Sequence, residues 1–264
     1  MKQIDVRKIV AEKAGSKARY VPGFVYRWLE KTIHQEGMNI YLARGLEGVP
    51  FCKGVIEYMG AKVIVEGIDN LPRDGRRYSF ISNHPLGAID GVALLGIIGE
   101  NYPEGVKFMA NNFLTYLDGL APMCIPVNKI GNQSRALSVA LNEAFESDLQ
   151  ILTFPAGKCA RKVDGVVTEM PWKKTFMTLS RKNGRDIVPI HFVGENSEHF
   201  YNVDKWCKRL GIKFNLAMLY LPDEMFRTKG KTFVVKIGRP VPLESLPKND
   251  VEATQVLRDV VLSL

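Results

Sequence analysis

His84 and Asp90 bracket the stretch His84-Pro85-Leu86-Gly87-Ala88-Ile89-Asp90, which follows Ser82-Asn83 and the strand-like run Tyr78-Ser79-Phe80-Ile81. The chain has only four histidines, so one placed straight after an apolar run asks for a reason. An imidazole takes a proton from an attacking hydroxyl or amine best when a carboxylate fixes its tautomer and stabilises the imidazolium. His84 and Asp90 supply such a pair, and Gly87 between them frees the backbone to turn sharply. An isolated pair at this spacing is equally compatible with an ordinary polar turn. The sequence has no GxSxG elbow, its cysteines lie in no recognisable catalytic context, and a metal site would need more His, Asp or Glu close by. A base without a protein nucleophile points to direct transfer onto an acceptor.

The elements that must position this pair can be read from periodicity. β-type runs occur at Lys62 to Val65, Tyr78 to Ser82, Val106 to Met109, Cys124 to Val127, Gln150 to Phe154, Ile187 to Phe192 and Thr232 to Ile237. Helical patterns occupy Ala88 to Ile98, Gln133 to Phe145 and Trp172 to Lys182. Strands alternating with helices predict an α/β fold with a largely parallel, mixed sheet flanked by helices. Ligands in such sheets gather at the carboxyl ends of strands, which is where His84 and Phe154-Pro155-Ala156-Gly157 fall.

The first sixty residues have a different texture. Pro22 can open a helix, and Phe24, Trp28, Ile33, Ile40 and Leu42 recur near helical spacing among Arg27, Lys31 and Arg44. We read 1–60 as an amphipathic helical region, packed on the rest of the protein or lying as a hairpin in a membrane interface, and 61–264 as the α/β domain. Trp172-Lys173-Lys174 reads as a helix face near the same lipid boundary.

Bulk properties narrow the class further. A chain of 264 residues with 46% hydrophobic and 24% charged side chains can bury a sizeable core without staples. Cys52, Cys124, Cys159 and Cys207 lie in no zinc or CxxC spacing and read as reduced packing residues. The richest apolar run, Gly91 to Gly99, is about half of the roughly 20 residues a membrane-spanning helix needs. The formal net charge is +8, with ten Lys/Arg against five Asp/Glu in 1–53 and eight against two in 158–185. Such faces suit an anionic partner, but no nucleic-acid motif accompanies them.

The block Asn83-His84-Pro85-Leu86-Gly87-Ala88-Ile89-Asp90 resembles the first signature of the glycerolipid acyltransferases, the family of 1-acylglycerol-3-phosphate acyltransferases. Three further blocks follow in that family's order: Met123 to Lys129, Phe154-Pro155-Ala156-Gly157-Lys158-Cys159-Ala160-Arg161, and Ile187-Val188-Pro189-Ile190-His191. The resemblance implies a glycerol-3-phosphate acyltransferase-like fold, His84 and Asp90 as catalytic residues, and substrate contacts from Asn83, Lys129, Phe154, Pro155, Ala156, Gly157, Lys158 and Arg161. It implies no metal and no cofactor beyond an acyl carrier protein or coenzyme A thioester as donor.

This sequence departs from the pattern at telling places. Five residues, not four, separate His84 from Asp90; Asn128-Lys129 stands where glycerol-phosphate members carry an Arg; Ala156 replaces a Glu. The FPAG form resembles a hemolysin-related branch that O-acylates amino-acid lipids. By that resemblance the chain is a bacterial enzyme peripheral on the inner face of the cytoplasmic membrane. It would move a fatty acyl chain to the hydroxyl of a 3-hydroxyacyl group on a glycine- or ornithine-type lipid. Lys129, Lys158 and Arg161 are then the candidates to meet the head-group carboxylate, and backbone amides near Gly157 the candidates to hold the oxyanion. A 1-acylglycerol-3-phosphate acyltransferase of phospholipid synthesis and a non-enzymatic basic membrane-surface protein are the alternative readings.

Overall fold

The computed structural model describes residues 3–109, 114, 117–125, 133–211 and 216–264. Four helices come first: α1 (Val6–Ala14), α2 (Gly23–Thr32), α3 (Gln35–Leu42) and α4 (Gly48–Tyr58). The Asp5 carboxylate caps α1 by accepting from the Arg7 and Lys8 amides, and Pro22 stands at the N-cap of α2 as its fixed φ allows. The apolar stripe expected in this region divides. Leu42, Phe51, Cys52 and Val55 are buried against the sheet domain, whereas Tyr20, Phe24, Trp28 and Ile40 face outward.

The sheet has the strand order β1-β9-β8-β2-β5-β3-β4. Its strands are β1 (Lys62–Glu66), β2 (Ser79–Ser82), β3 (Val106–Met109), β4 (Cys124–Ile125), β5 (Gln150–Thr153), β8 (Ile187–Val193) and β9 (Thr232–Ile237). Every described pairing in it is parallel except β8 with β9, so the expected mixed, largely parallel sheet is present. A separate antiparallel hairpin joins β6 (Arg161–Val163) to β7 (Val166–Thr168).

Strand side chains alternate between faces. Phe80, Leu152, Val188 and Ile190 meet α4 and α5 (Ile89–Asn101) in the larger core. Ile81 and Ile187 point the other way, toward α7 (Thr175–Lys182) and α10 (Asp250–Ser263), where Phe176, Met177, Ala253 and Leu257 are buried. The remaining helices are α6 (Gln133–Glu146), α8 (Glu198–Arg209) and α9 (Leu221–Phe226). At the amino ends of the central strands the fully buried Arg185 donates to the carbonyls of Phe145 (2.7 Å), Leu149 (2.9 Å), Tyr78 (3.3 Å) and Ser147. Among the described residues no helix is long and apolar enough to cross a membrane.

Candidate active site

β2 ends at Ser82, and the chain leaves the middle of the sheet there. Asn83 is buried and its amide clamps β8: Nδ2 donates to the Phe192 carbonyl at 2.9 Å, and Oδ1 accepts from the Phe192 amide at 2.7 Å. Both ends of this side chain are therefore used inside the protein. It fixes where His84 emerges.

The extra residue between His84 and Asp90 is taken up by a turn wrapped around a carboxylate. Gly87 adopts φ 82°, and a Cβ there would lie 2.9 Å from Cys159 Cβ and 3.0 Å from Leu221 Cδ2, so this position needs glycine. Asp90, in the first turn of α5 and fully buried, lies with Oδ2 3.0 Å from His84 Nδ1. The same oxygen accepts from the Leu86 and Gly87 amides at 2.9 and 3.1 Å, and Oδ1 accepts from Gly91 at 2.9 Å. From below, Asn196 Nδ2 donates to the Pro85 and Leu86 carbonyls, each at 3.2 Å.

These contacts set the electrostatics. Burial works against a charged imidazole at His84, but the charge and hydrogen bond of Asp90 outweigh it and the pKa is raised. Burial likewise opposes ionisation of Asp90, yet His84 and the turn amides hold its pKa below the ordinary carboxylate value. The Asp90 contact uses Nδ1, which directs Nε2 toward a reacting group. The His84 side chain retains 17% of its exposure, and its ring stacks on Phe154 at 4.2 Å between centroids.

Sequence reading missed Glu169. It lies just past β7, and its carboxylate accepts from the His84 main-chain N–H (3.2 Å to Oε1, 3.4 Å to Oε2) and from the Trp172 indole (3.2 Å). Burial raises its pKa, and its charge adds to the upward pull on His84. A Glu lying 85 positions from the histidine carries no local motif, so only the fold brings the two together. Trp172 was expected on a helix face at the lipid boundary; α7 instead begins at Thr175, and the indole turns toward Glu169 and Phe176.

The Phe154-Pro155-Ala156-Gly157 segment forms a tight turn beside His84. Gly157, at φ 64°, donates its N–H to the Phe154 carbonyl at 2.9 Å, so this amide closes the turn. Pro155 and Ala156 are buried, whereas Gly157 and Lys158 are exposed. A Cβ at Gly157 would lie 3.8 Å from Lys173 Nζ, which places a second cation beside the turn. Arg161 takes a different part: its buried guanidinium pairs with Asp204 on α8 at 3.1 Å and donates to the Cys159 and Ala160 carbonyls. Lys129 and Asn128 lie outside the described residues. The Cys159 thiol is buried and its pKa raised by that burial, which disfavours the thiolate a nucleophile needs.

The turn between His84 and Asp90 borders an apolar cavity of about 220 Å³ through Gly87 and Ala88. Gly87, Ala88 and Val92 line it together with Leu29 of α2, Ile33 at the C-cap of α2, and Leu221 of α9. A histidine held by a carboxylate, at the carboxyl end of a central strand and near an apolar cavity, suits proton abstraction from a hydroxyl on a molecule with a long hydrocarbon chain.

Comparison with known proteins agrees with that geometry. The chain is 46% identical to a lyso-glycine lipid O-acyltransferase of Phocaeicola vulgatus, over 99% of this chain and 95% of that protein. It is 45% identical to a lyso-glycine lipid O-acyltransferase of Bacteroides thetaiotaomicron, over 99% and 97%. The fold is similar to that of the 1-acyl-sn-glycerophosphate acyltransferase PlsC of Thermotoga maritima, with a TM-score of 0.50, 20% identity, and coverage of 97% of this chain and 86% of that one. An acyltransferase family model matches residues 8–261, and with these relatives it shows that the chain belongs to the acyltransferase family.

Proposed function

We propose that this acyltransferase moves a fatty acyl chain from an acyl carrier protein or coenzyme A thioester to the hydroxyl of a 3-hydroxyacyl group amide-linked to glycine. The observation that carries the reading is the His84–Asp90 pair whose intervening turn lines an apolar cavity, in a chain similar along its whole length to lyso-glycine lipid O-acyltransferases. His84 Nε2 takes the acceptor's proton as the hydroxyl oxygen attacks the thioester carbonyl. The tetrahedral adduct collapses, the C–S bond breaks, and the departing thiolate receives the proton from the imidazolium. Asp90 stabilises that imidazolium, and Glu169 fixes the main chain that carries it. The cavity takes the alkyl chain. Lys158 and Lys173, beside the FPAG turn, supply positive charge to the glycine carboxylate.

The enzyme works at the inner face of the cytoplasmic membrane, with the aromatic and basic outer face of residues 1–60 in the lipid interface. The test is release of free thiol from each thioester donor with mono-acylated glycine lipid, mono-acylated ornithine lipid or lysophosphatidic acid as separate acceptors. Transfer to the glycine lipid, lost in His84→Ala, is expected. Transfer to lysophosphatidic acid alone would replace the proposed acceptor, and no transfer to any of the three would end the reading.

A further inference from the structure

Among the described residues four aromatic side chains are exposed: Tyr20, Phe24, Trp28 and Trp206. Three belong to the α2 region. The fourth stands on α8, far away in sequence, yet the two groups are joined through one ring. Trp28 packs edge-on against Tyr220 at 6.1 Å, and Tyr220 packs against His199 in the first turn of α8 at 5.0 Å.

The inner side of α8 is rooted in the site. Phe200, Tyr201, Asp204 and Cys207 are buried, and Asp204 holds Arg161 at the start of the β6–β7 hairpin. A Lys162–Glu198 pair at 2.5 Å adds a second tie to the same hairpin. The outer side presents Lys205, Trp206, Lys208, Arg209 and Leu210; Lys208 also pairs with Asp204 at 2.7 Å, so Lys205 and Arg209 carry the outward positive charge. Trp206 and Leu210 are 57% and 67% exposed and one helical turn apart, and the Arg209 guanidinium lies 5.5 Å from the Trp206 ring centroid. The α2 region repeats this chemistry, with Lys17, Arg19, Arg27 and Lys31 exposed around its aromatics. Indole and phenol rings flanked by cations match the interface of an anionic bilayer.

We infer that α8 is the second half of a membrane-docking surface: Trp206 and Leu210 enter the interface of an anionic phospholipid leaflet together with Tyr20, Phe24 and Trp28. The inference rests on the lipid-acceptor reading and adds an orientation to it. Leu29 of α2 and Ile33 at its C-cap line the apolar cavity, as do Met218 and Leu219 beside Tyr220, so the two halves of the surface flank a seam over it. Contact on both sides of that seam lets a lipid chain pass from leaflet to cavity with little apolar surface exposed to water. Because α8 is tied to Arg161, the bilayer holds the catalytic turn at a set depth.

The test uses the full chain and vesicles of phosphatidylglycerol or phosphatidylcholine. The Trp206→Ala/Leu210→Ala double variant should bind phosphatidylglycerol vesicles about tenfold more weakly and turn over detergent-dispersed substrate as the native chain does. Trp206→Phe should keep the binding. Native-like vesicle binding by the double variant would overturn the inference. So would unchanged vesicle binding with a raised KM for acyl carrier protein donors alone, which would assign the face to the carrier protein. Failure of the native chain to transfer in detergent would strike the acceptor reading and leave the vesicle result to decide the surface on its own.

Discussion

Glu169 and Asp90 hold the same histidine by different parts: Asp90 accepts from the ring at Nδ1, and Glu169 accepts from the main-chain N–H. One carboxylate sets the tautomer and the other sets where the ring starts. Two negative charges next to one imidazole also explain why its pKa stays raised despite burial.

Removing the base or its partner tests the pair directly. His84→Ala should lower kcat by about 10²- to 10⁴-fold with native-like circular dichroism. Asp90→Asn should fall into the same range, because an amide cannot stabilise the imidazolium and the turn amides lose a charged acceptor. Thiol release measured at saturating donor is the readout, and retention of native kcat by either variant would remove that residue from the chemistry.

The pH dependence follows from the signs of the shifts. A general base acts when neutral, so activity is lost as pH falls through the raised pKa of His84, and the acid limb of kcat should lie above the ordinary histidine value of about 6.5. Glu169→Gln removes a charge that raises this pKa, so the limb should move to lower pH. If Glu169 only braced the loop, kcat would drop at every pH with the limb unmoved.

Gly87→Ala strikes the turn by itself. The new methyl meets Cys159 and Leu221 at a positive φ, so a loss of about 1 kcal/mol or more is expected, together with reduced kcat. Urea unfolding gives the first number. An unchanged midpoint would mean that the turn can relax.

Leu29→Trp should shorten the apolar cavity from the α2 side, at a lining residue far from His84 in sequence. Competition among acceptor lipids of graded chain length should then shift toward shorter chains with kcat for the shortest preserved. Equal losses at every length would mean that the chain does not reach Leu29.

Arg185→Met leaves the carbonyls of Phe145, Leu149, Tyr78 and Ser147 without their buried donor. A loss of about 3 kcal/mol or more is expected, seen as a lower urea midpoint. Arg185 lies at the strand ends opposite His84, so KM for both substrates should be native-like where the variant is folded.

Much of this architecture is written in local pattern. Strand runs such as Ile187 to Phe192 and Thr232 to Ile237 are rich in β-branched and aromatic residues, interrupted only by Pro189, His191 and Lys236, and a residue facing either core must be apolar; the observed strands match them within a residue or so. The His84–Asp90 pairing was legible for a similar reason, since six positions of chain with a glycine inside can close only locally. Roles that depend on distant partners were not legible. Asn83 and Arg161 look like ligand-binding polar residues in sequence, but Phe192 and Asp204 occupy them. Glu169 looks like an ordinary surface carboxylate until β7 delivers it to the His84 amide.

Sequence alone therefore determined the alternating α/β order, the local pairing of His84 with Asp90, and the basic, aromatic character of the first sixty residues, because each is carried by residues close together along the chain. Tertiary structure decided which cations stay at the surface, which carboxylate accepts from the His84 main chain, and that Tyr220 packs against both Trp28 of α2 and His199 of α8. Those are contacts across tens of positions, and their energies exist only once burial has brought the partners together.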